Sequence, residues 1–474
     1  MNLGKKTKIV CTIGPATESP EKLSELVEAG MNVIRLNFSH GDFAEHQPRV
    51  DNIREVMKKS GKTVAILQDL CGPKIRIGKF KAGKIQLVEG REFVLTTDDI
   101  EGDESKVHVN YKELPKEVKR GHFIMLRDGT RKLEVTAVKG GDIVTKVIVG
   151  GELAGYKGVN VPGANLSVSS ITDKDRKDVE FAVKNKLDFV ALSFVRKAAD
   201  ITELRGLLQK AGSNAHIIAK IETPQAVEDI DAIIEAADGL MVARGDLAIE
   251  IPAEQVPLVQ KALIKKCNAA GKPVITATQM LESMIRNPVP TRAEVSEIAN
   301  AIIDGTDAIM LSEETTLGDF PVEAVEMMSK IAANVEKSIY TKDFEADYPK
   351  SKAVSPITDV VSQSAVRTAH RVGAKLITVL TRSGSSARMV ARYKPAEPIL
   401  ALSDTPDNAN KLALSFGCYP MVVPTFTTVG EIMEIVRKAA VGMKQAKKGD
   451  KAVIVAGMPF GVSKETNMIL VETL

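Results

Sequence analysis

The stretch Ala215-His216-Ile217-Ile218-Ala219-Lys220-Ile221-Glu222 is apolar except at His216, Lys220 and Glu222. Its isoleucine-rich run reads as a β-strand, whose side chains alternate between two faces, so Lys220 and Glu222 leave on the same side. Opposite charges on a strand otherwise fit for burial are costly unless they are paired or used. The pair marks a site. One repeat further on, Gly239-Leu240-Met241-Val242-Ala243-Arg244-Gly245-Asp246 is a second apolar strand ending in charge, which offers Asp246 as a second carboxylate beside Glu222. Two carboxylates and an ammonium point to a metal ion and an anion.

Eight β-type runs of this kind, at 8–12, 33–38, 63–69, 188–194, 216–222, 239–244, 273–278 and 307–312, alternate with helical patterns. Ser19-Pro20 and Thr223-Pro224 read as caps with proline in the first turn, and Thr291-Arg292-Ala293-Glu294 as a capping box. Eight strand-helix repeats predict a (β/α)8 barrel, with its active site at the carboxyl ends of the strands. Polar residues collect at those ends: Arg35, Asn37 and Ser39, then Asp69, Ser193, Thr276 and Thr278, Ser312 and Glu314. A long interruption with β-type runs at 84–88, 92–97, 106–110, 122–126, 132–139 and 142–149 predicts a small β-barrel domain inserted after the third strand. Gly72-Pro73 and Pro162-Gly163 would be its hinges, placing it as a lid. After a charged connector at 341–353, runs at 375–381, 398–402, 419–423, 451–456 and 468–471 predict an open α/β domain. The expected domains are 1–71 with 164–340, 72–163, and 341–474.

The 64 basic and 61 acidic residues nearly balance, giving a net charge of +3 over 474 residues. That excludes a broad electrostatic footprint for nucleic acid or an anionic membrane. Cys11, Cys71, Cys267 and Cys418 form no CxxC pair, which argues against zinc and against a disulfide framework. No apolar run reaches the length of a membrane span and no signal peptide is evident, so the chain reads as cytoplasmic.

Glu222 and Asp246 match the one or two carboxylates that Mg²⁺ takes from a protein. Desolvation would depress the pKa of an isolated Lys220, but carboxylates and a bound anion favour its charged form. Arg35 offers a planar fork for a phosphoryl or carboxylate group, and Lys220 could clamp that group from across the barrel. Thr278 and Ser312 are hydroxyls able to hold a carboxylate or relay a proton. In the last domain, Thr381-Arg382-Ser383-Gly384-Ser385-Ser386 joins a strand to a helix and suits phosphate, with the loop 457–461 as its companion.

These residues carry a resemblance to the pyruvate kinase family over essentially the whole chain: Ile9-Val10-Cys11-Thr12-Ile13-Gly14-Pro15, Arg35-Leu36-Asn37-Phe38-Ser39-His40-Gly41, Gly158-Val159-Asn160-Val161-Pro162-Gly163, Ile218 to Glu222, Met241 to Asp246, Thr276 to Met284, and Pro290 to Val295. The resemblance implies phosphoryl transfer from phosphoenolpyruvate to ADP, the final step of glycolysis, with the inserted domain closing over the nucleotide. It implies Lys220 as the catalytic lysine, helped by Arg35, and Glu222 and Asp246 as Mg²⁺ ligands, with Mn²⁺ as an alternative ion. The amides of Gly245 and Asp246, with Thr278, would hold the substrate carboxylate, and Ser193 joins the substrate-binding set. Thr278 and Ser312 would protonate the enolate through water. Arg76 and Lys157 match nucleotide-phosphate contacts, near a second Mg²⁺.

Lys74 stands where many family members carry Glu, a form that goes with a K⁺ requirement. Its ammonium can replace that charge, so the K⁺-type site formed by Asn37, Ser39 and Asp69 is expected to be empty and K⁺ not required. Arg127 replaces a common Asp, Ala248 a common Gly, and Glu297 a common Asp; the last two are expected not to touch the chemistry. The resemblance also implies a phosphorylated effector at Arg382, Ser383, Ser385 and Ser386, and a homotetramer. Two rivals stay open: a Schiff-base lyase using Lys220 as nucleophile, and a non-catalytic phosphometabolite-binding regulator.

Overall fold

A computed structural model describes residues 4–164, 166–340, 356–425, 428–442, 446–459 and 465–474. The connector expected at 341–353 lies outside the described residues, as do Phe460 and Gly461 of the loop 457–461. Strands β1 (Lys8–Thr12), β2 (Val33–Asn37) and β3 (Ala65–Asp69) open the chain, separated by helices Pro20–Ala29 and Phe43–Ser60. The Ser19 hydroxyl caps the first helix by accepting from Lys22 N at 3.2 Å, leaving Pro20 where a missing N–H is harmless.

Between β3 and the next barrel strand lie β4 (Lys84–Leu87), β5 (Glu92–Thr96), β6 (Lys106–His108), β7 (Phe123–Leu126), β8 (Arg131–Lys139), β9 (Asp142–Val149), β10 (Gly151–Ala154) and β11 (Val159–Asn160). They form a six-stranded sheet in the order β11-β7-β8-β9-β5-β6 and a two-stranded ribbon β10-β4. Phe93, Leu95, Ile124 and Leu133 of the sheet pack with Ile85, Leu87 and Leu153 of the ribbon in one core. Both segments that cross to the barrel carry a left-handed glycine, Gly72 at φ 65° and Gly163 at φ 80°, a conformation glycine adopts without penalty.

The barrel resumes with β12 (Phe189–Leu192), β13 (His216–Ile221), β14 (Gly239–Ala243), β15 (Val274–Ala277) and β16 (Ala308–Leu311), closing as β1-β16-β15-β14-β13-β12-β3-β2. All eight runs expected from the sequence are barrel strands, but several end one or two residues earlier than expected. Strand β12 stops before Phe194 and β15 before Thr278, because these two residues take φ of 53° and 68°, which an extended strand cannot accommodate. Strand β14 stops before Arg244 because that residue begins a helix, Arg244–Glu250.

The barrel interior is filled by Val10, Val33, Leu67, Phe189, Ile218, Met241, Ile275 and Met310, joined by Ala413 and Leu414 from the far end of the chain. These two belong to a short 3₁₀ turn, Leu412–Leu414, between strands of the final sheet. That sheet comprises β17 (Leu376–Leu380), β18 (Ile399–Ser403), β19 (Cys418–Val422), β20 (Lys451–Ala456) and β21 (Met468–Thr473), ordered β19-β18-β17-β20-β21 with β21 antiparallel. Beside the turn, Phe416 N donates to Asp307 Oδ1 at 3.0 Å and Lys394 Nζ pairs with the same oxygen at 2.9 Å. The last sheet is thus fastened to the barrel's amino end. Replacing fully buried Leu414 by Ala should lower stability by about 2–5 kcal/mol through lost burial and a cavity; an unchanged denaturant midpoint would mean the barrel end is filled without it.

Candidate active site

Strands β2, β3 and β13 and the loop after β12 deliver four buried polar residues to one place. Arg35 donates from Nε to Asp69 Oδ2 at 2.7 Å, with Nη2 2.6 Å from the same oxygen, and Nη1 donates to Thr12 Oγ1 at 2.9 Å. Lys220 Nζ donates to Ser193 Oγ at 2.7 Å and pairs with Glu222 Oε1 at 2.9 Å and Asp69 Oδ1 at 3.3 Å. Ser193 Oγ in turn donates to Leu70 O at 2.7 Å. The second oxygen of Glu222 accepts from Phe194 N at 2.7 Å. Phe194 makes this contact with φ at 53°, an unfavourable backbone conformation kept where a buried charge is held.

The electrostatics follow from this packing. Burial alone would lower the Lys220 pKa, but Asp69 and Glu222 outweigh it and hold the ammonium above its ordinary range. Burial would likewise raise Asp69, yet Lys220 and Arg35 keep it below the usual carboxylate range. Glu222 is pushed up to about 7 by burial, with Lys220 opposing and the Asp246 carboxylate adding to the rise. Glu222 and Asp246 are therefore close enough to repel, which is where a cation would relieve them.

The charged residues at the ends of β13 and β14 divide. Lys220, Glu222 and Asp246 lie close enough to act on one another's charge, whereas Arg244 points into the wall. Its Nε donates to Ala277 O at 3.1 Å, its Nη2 to Thr278 O at 2.6 Å, and its Nη1 reaches Glu297. Arg244 thereby fixes the turn at Thr278 and Gln279, both with positive φ. Glu297, expected to stay clear of the chemistry, is one step from it through this arginine. Thr278 Oγ1 accepts from Gly245 N at 2.8 Å and donates to Ala277 O at 2.6 Å. The Gly245 amide, expected to be free for a ligand, is thus occupied by the threonine; an arriving carboxylate has to compete for it. Thr276 donates to Thr306 Oγ1 at 3.0 Å on the strand face opposite Ile275 and Ala277 of the barrel interior, and the left-handed backbone at Thr278 breaks the alternation that would put Thr278 on the same side. Ser312 gives its amide to Glu314 Oε2 at 2.7 Å, and Glu314 also accepts from Leu281 N at 3.1 Å. Buried Glu314 is a strut between two loops.

Beside the cluster lies a cleft of about 540 Å³ lined from the barrel by His40, Asp246, Glu250 and Glu313 and from the inserted segment by Lys74, Arg76 and Lys157. Burial, Lys74, Arg76 and Arg35 together lower the His40 pKa. Asn37 Oδ1 accepts from Ser39 N at 3.1 Å, and the Asp69 oxygens face Arg35 and Lys220, so part of the K⁺-type set is already engaged. His40, Asn160 and Glu250 were not singled out as site residues; the only signal was the membership of His40 and Asn160 in quoted motifs. In the last sheet, Arg382 pairs with Asp404 at 3.1 Å, Ser383 Oγ accepts from Ser385 N at 3.4 Å, and Ser386 Oγ accepts from Thr466 Oγ1 at 2.7 Å. Arg382, Ser383 and Ser385 are exposed.

A closed (β/α)8 barrel that gathers a lysine, an arginine and carboxylates at its strand ends, beside a cleft lined by charges of both signs, has the architecture of a barrel enzyme with its site at the carboxyl ends of the strands. The family profiles "Pyruvate kinase, barrel domain" and "Pyruvate kinase, alpha/beta domain" match residues 4–325 and 359–472. The chain belongs to the pyruvate kinase family of phosphotransferases. It is 50% identical over 473 residues to the pyruvate kinase of Geobacillus stearothermophilus, covering 99% of this chain and 80% of the relative. It is 44% identical over 472 residues to that of Clostridium acetobutylicum, covering 99% and 100%. A crystal structure of a pyruvate kinase from Cryptosporidium parvum superposes with a TM-score of 0.92 at 38% identity, covering 99% and 96%.

Arg244→Lys keeps the charge but loses the fork that spans two carbonyls. It should lower kcat about tenfold or more by loosening Thr278, with little change in melting temperature. Unchanged kcat would remove Arg244 from the positioning of the site.

Proposed function

We propose that this chain transfers the phosphoryl group of phosphoenolpyruvate to ADP, giving pyruvate and ATP as the closing step of glycolysis, at the cluster of Arg35, Lys220, Glu222 and Asp246. The observation that carries this reading is the Lys220 ammonium, held by Ser193, Glu222 and Asp69 while Arg35 shares Asp69. Two fixed cations on one carboxylate suit a group whose negative charge must be spread during transfer. Lys220 neutralises the moving phosphoryl oxygens and Arg35 orients them. The amides of Gly245 and Asp246, with Thr278, hold the substrate carboxylate, and Ser193 positions Lys220. Thr278, with Ser312, delivers the proton to the enolate carbon through water.

Glu222 and Asp246 would hold Mg²⁺, or Mn²⁺ in its place. The Asp246 carboxylate adds to the rise of Glu222, and a pair of repelling carboxylates suits an ion that takes one or two from a protein and fills its remaining positions with water and substrate oxygens. When bound, the ion supplies charge neutralisation on those oxygens. Arg76 and Lys157 receive the nucleotide phosphates, accompanied by a second Mg²⁺. Lys74, lining the same cleft, supplies the charge that K⁺ gives other members, so K⁺ is not required and the set Asn37, Ser39 and Asp69 stays empty.

The same electrostatics disfavour the lyase. A Schiff-base lysine works as a neutral amine with a depressed pKa, whereas Lys220 is stabilised as a cation. The resemblance further supports a homotetramer, a phosphorylated effector at Arg382, Ser383, Ser385 and Ser386, and a cytoplasmic location. No helix among the described residues is long and apolar enough to cross a membrane. Lys220→Met should reduce turnover by about 100-fold or more while phosphoenolpyruvate binding stays within about tenfold. Wild-type turnover in that variant would refute the role of Lys220, and borohydride trapping of the wild type with substrate would support the lyase.

A further inference from the structure

We propose that Asn160 and Glu250 form a latch through which closure of the inserted sheet sets the position of the helix Arg244–Glu250, and with it Asp246; the inference rests on the substrate-site role given to Asp246 above. This helix spans only seven residues. Gly245 and Asp246 lie in its first turn, while Ile249 and Glu250 close it. Both closing residues meet the inserted sheet. Asn160, the last residue of β11, donates from Nδ2 to Glu250 Oε1 at 2.8 Å. At the neighbouring contact, a Cβ added to Gly129 would lie 3.5 Å from Ile249 Cγ1. Asn160, Ile249, Glu250 and Asp246 all face the cleft, and Glu250 is raised by burial with Asp246 adding to the rise.

The second contact is built with some strain. Arg127, Asp128 and Gly129 take φ of 50°, 53° and 80° in succession, a left-handed run that is unfavourable for the first two. It is pinned by Thr130 Oγ1 donating to Arg127 O at 2.7 Å and by Arg127 Nη1 donating to Glu152 O at 3.1 Å. The arginine therefore braces the turn from behind, and the glycine backbone makes the approach to the helix. Lys157 precedes Asn160 by three residues, and Arg76 bridges to Gly158. Fastening Asn160 to Glu250 therefore brings the proposed nucleotide contacts and the Asp246 helix together in one step. Asn160 and Glu250 are positioning residues: the side chains act through Lys157, Arg76 and Asp246.

A double-mutant cycle on the full-length protein tests the latch, with Asn160→Ala, Glu250→Ala and the pair compared in pyruvate formation from phosphoenolpyruvate, ADP and Mg²⁺. Each single change should raise KM for ADP about tenfold, the scale of one hydrogen bond to a charged group. Phosphoenolpyruvate affinity measured with Mg²⁺ should weaken about threefold or more as Asp246 loosens, and the double variant should be no worse than either single one. Glu250→Gln, which keeps an acceptor oxygen, should recover most of the loss. Hydrogen exchange at 127–131 and 157–161 should rise in every alanine variant, a readout available even where activity is low. Effects that multiply in the double variant, or unchanged KM and exchange in the single ones, would overturn the latch while leaving the catalytic reading intact. A wild type that makes no pyruvate would overturn both.

Discussion

Asp69 is the constraint on which the site depends. It is a fully buried carboxylate whose oxygens face Arg35 from β2 and Lys220 from β13, with Ser193 beyond β12 at 3.4 Å. A charge taken out of water is tolerated only with near-complete pairing, and removing one partner from such a set costs about 3–5 kcal/mol. The cations cannot reach Asp69 unless β2, β3, β12 and β13 stand side by side at the right register, which a closed parallel barrel provides. The barrel holds the charges in place, and the charges in turn are satisfied only in the closed barrel.

Around that fixed centre, the groups expected to meet substrate are placed by loops in unfavourable backbone conformations. Phe194, Thr278 and Gln279 all take positive φ, and each lies within two residues of a barrel strand end. Such conformations persist when their surroundings over-determine them. The Phe194 amide is held by Glu222, and the Thr278 carbonyl by Arg244, which is itself neutralised by Glu297. Charge in the wall therefore supports geometry at the site. At the opposite end Ala413 and Leu414 close the barrel interior, so the final sheet is part of the same packed body as the strands that carry the site.

The periodicity of eight apolar runs was enough to read the barrel, because buried parallel strands are nearly continuous hydrophobic segments with helical patterns between them. The pair at Lys220 and Glu222 was legible for the same reason, since charge stands out on a buried strand. The strand ends were less legible. No local signal distinguishes Thr278, which turns left-handed, from Thr276, which stays in the strand, and so Thr276 was grouped with it. Strands β10 and β11 escaped notice because they are short and lie among glycines and a lysine. Arg244, two residues before Asp246, serves the wall instead, because it is held by backbone carbonyls and by Glu297, contacts that leave no trace in side-chain pattern. The plug formed by Ala413 and Leu414 depends on a contact between residues hundreds of positions apart, beyond the reach of any periodicity argument.

The central claim is that Lys220, Arg35 and the Glu222–Asp246 pair move a phosphoryl group from phosphoenolpyruvate to ADP, with Lys74 in place of a monovalent cation. The most direct measurement is the joint yield of pyruvate and ATP from phosphoenolpyruvate, ADP and Mg²⁺ in a K⁺-free buffer, repeated with K⁺ added. The account predicts equal amounts of pyruvate and ATP without K⁺ and little gain when K⁺ is supplied. Turnover that appears only with K⁺ would contradict the role given to Lys74, and pyruvate without matching ATP, or none in either buffer, would contradict the phosphotransfer itself.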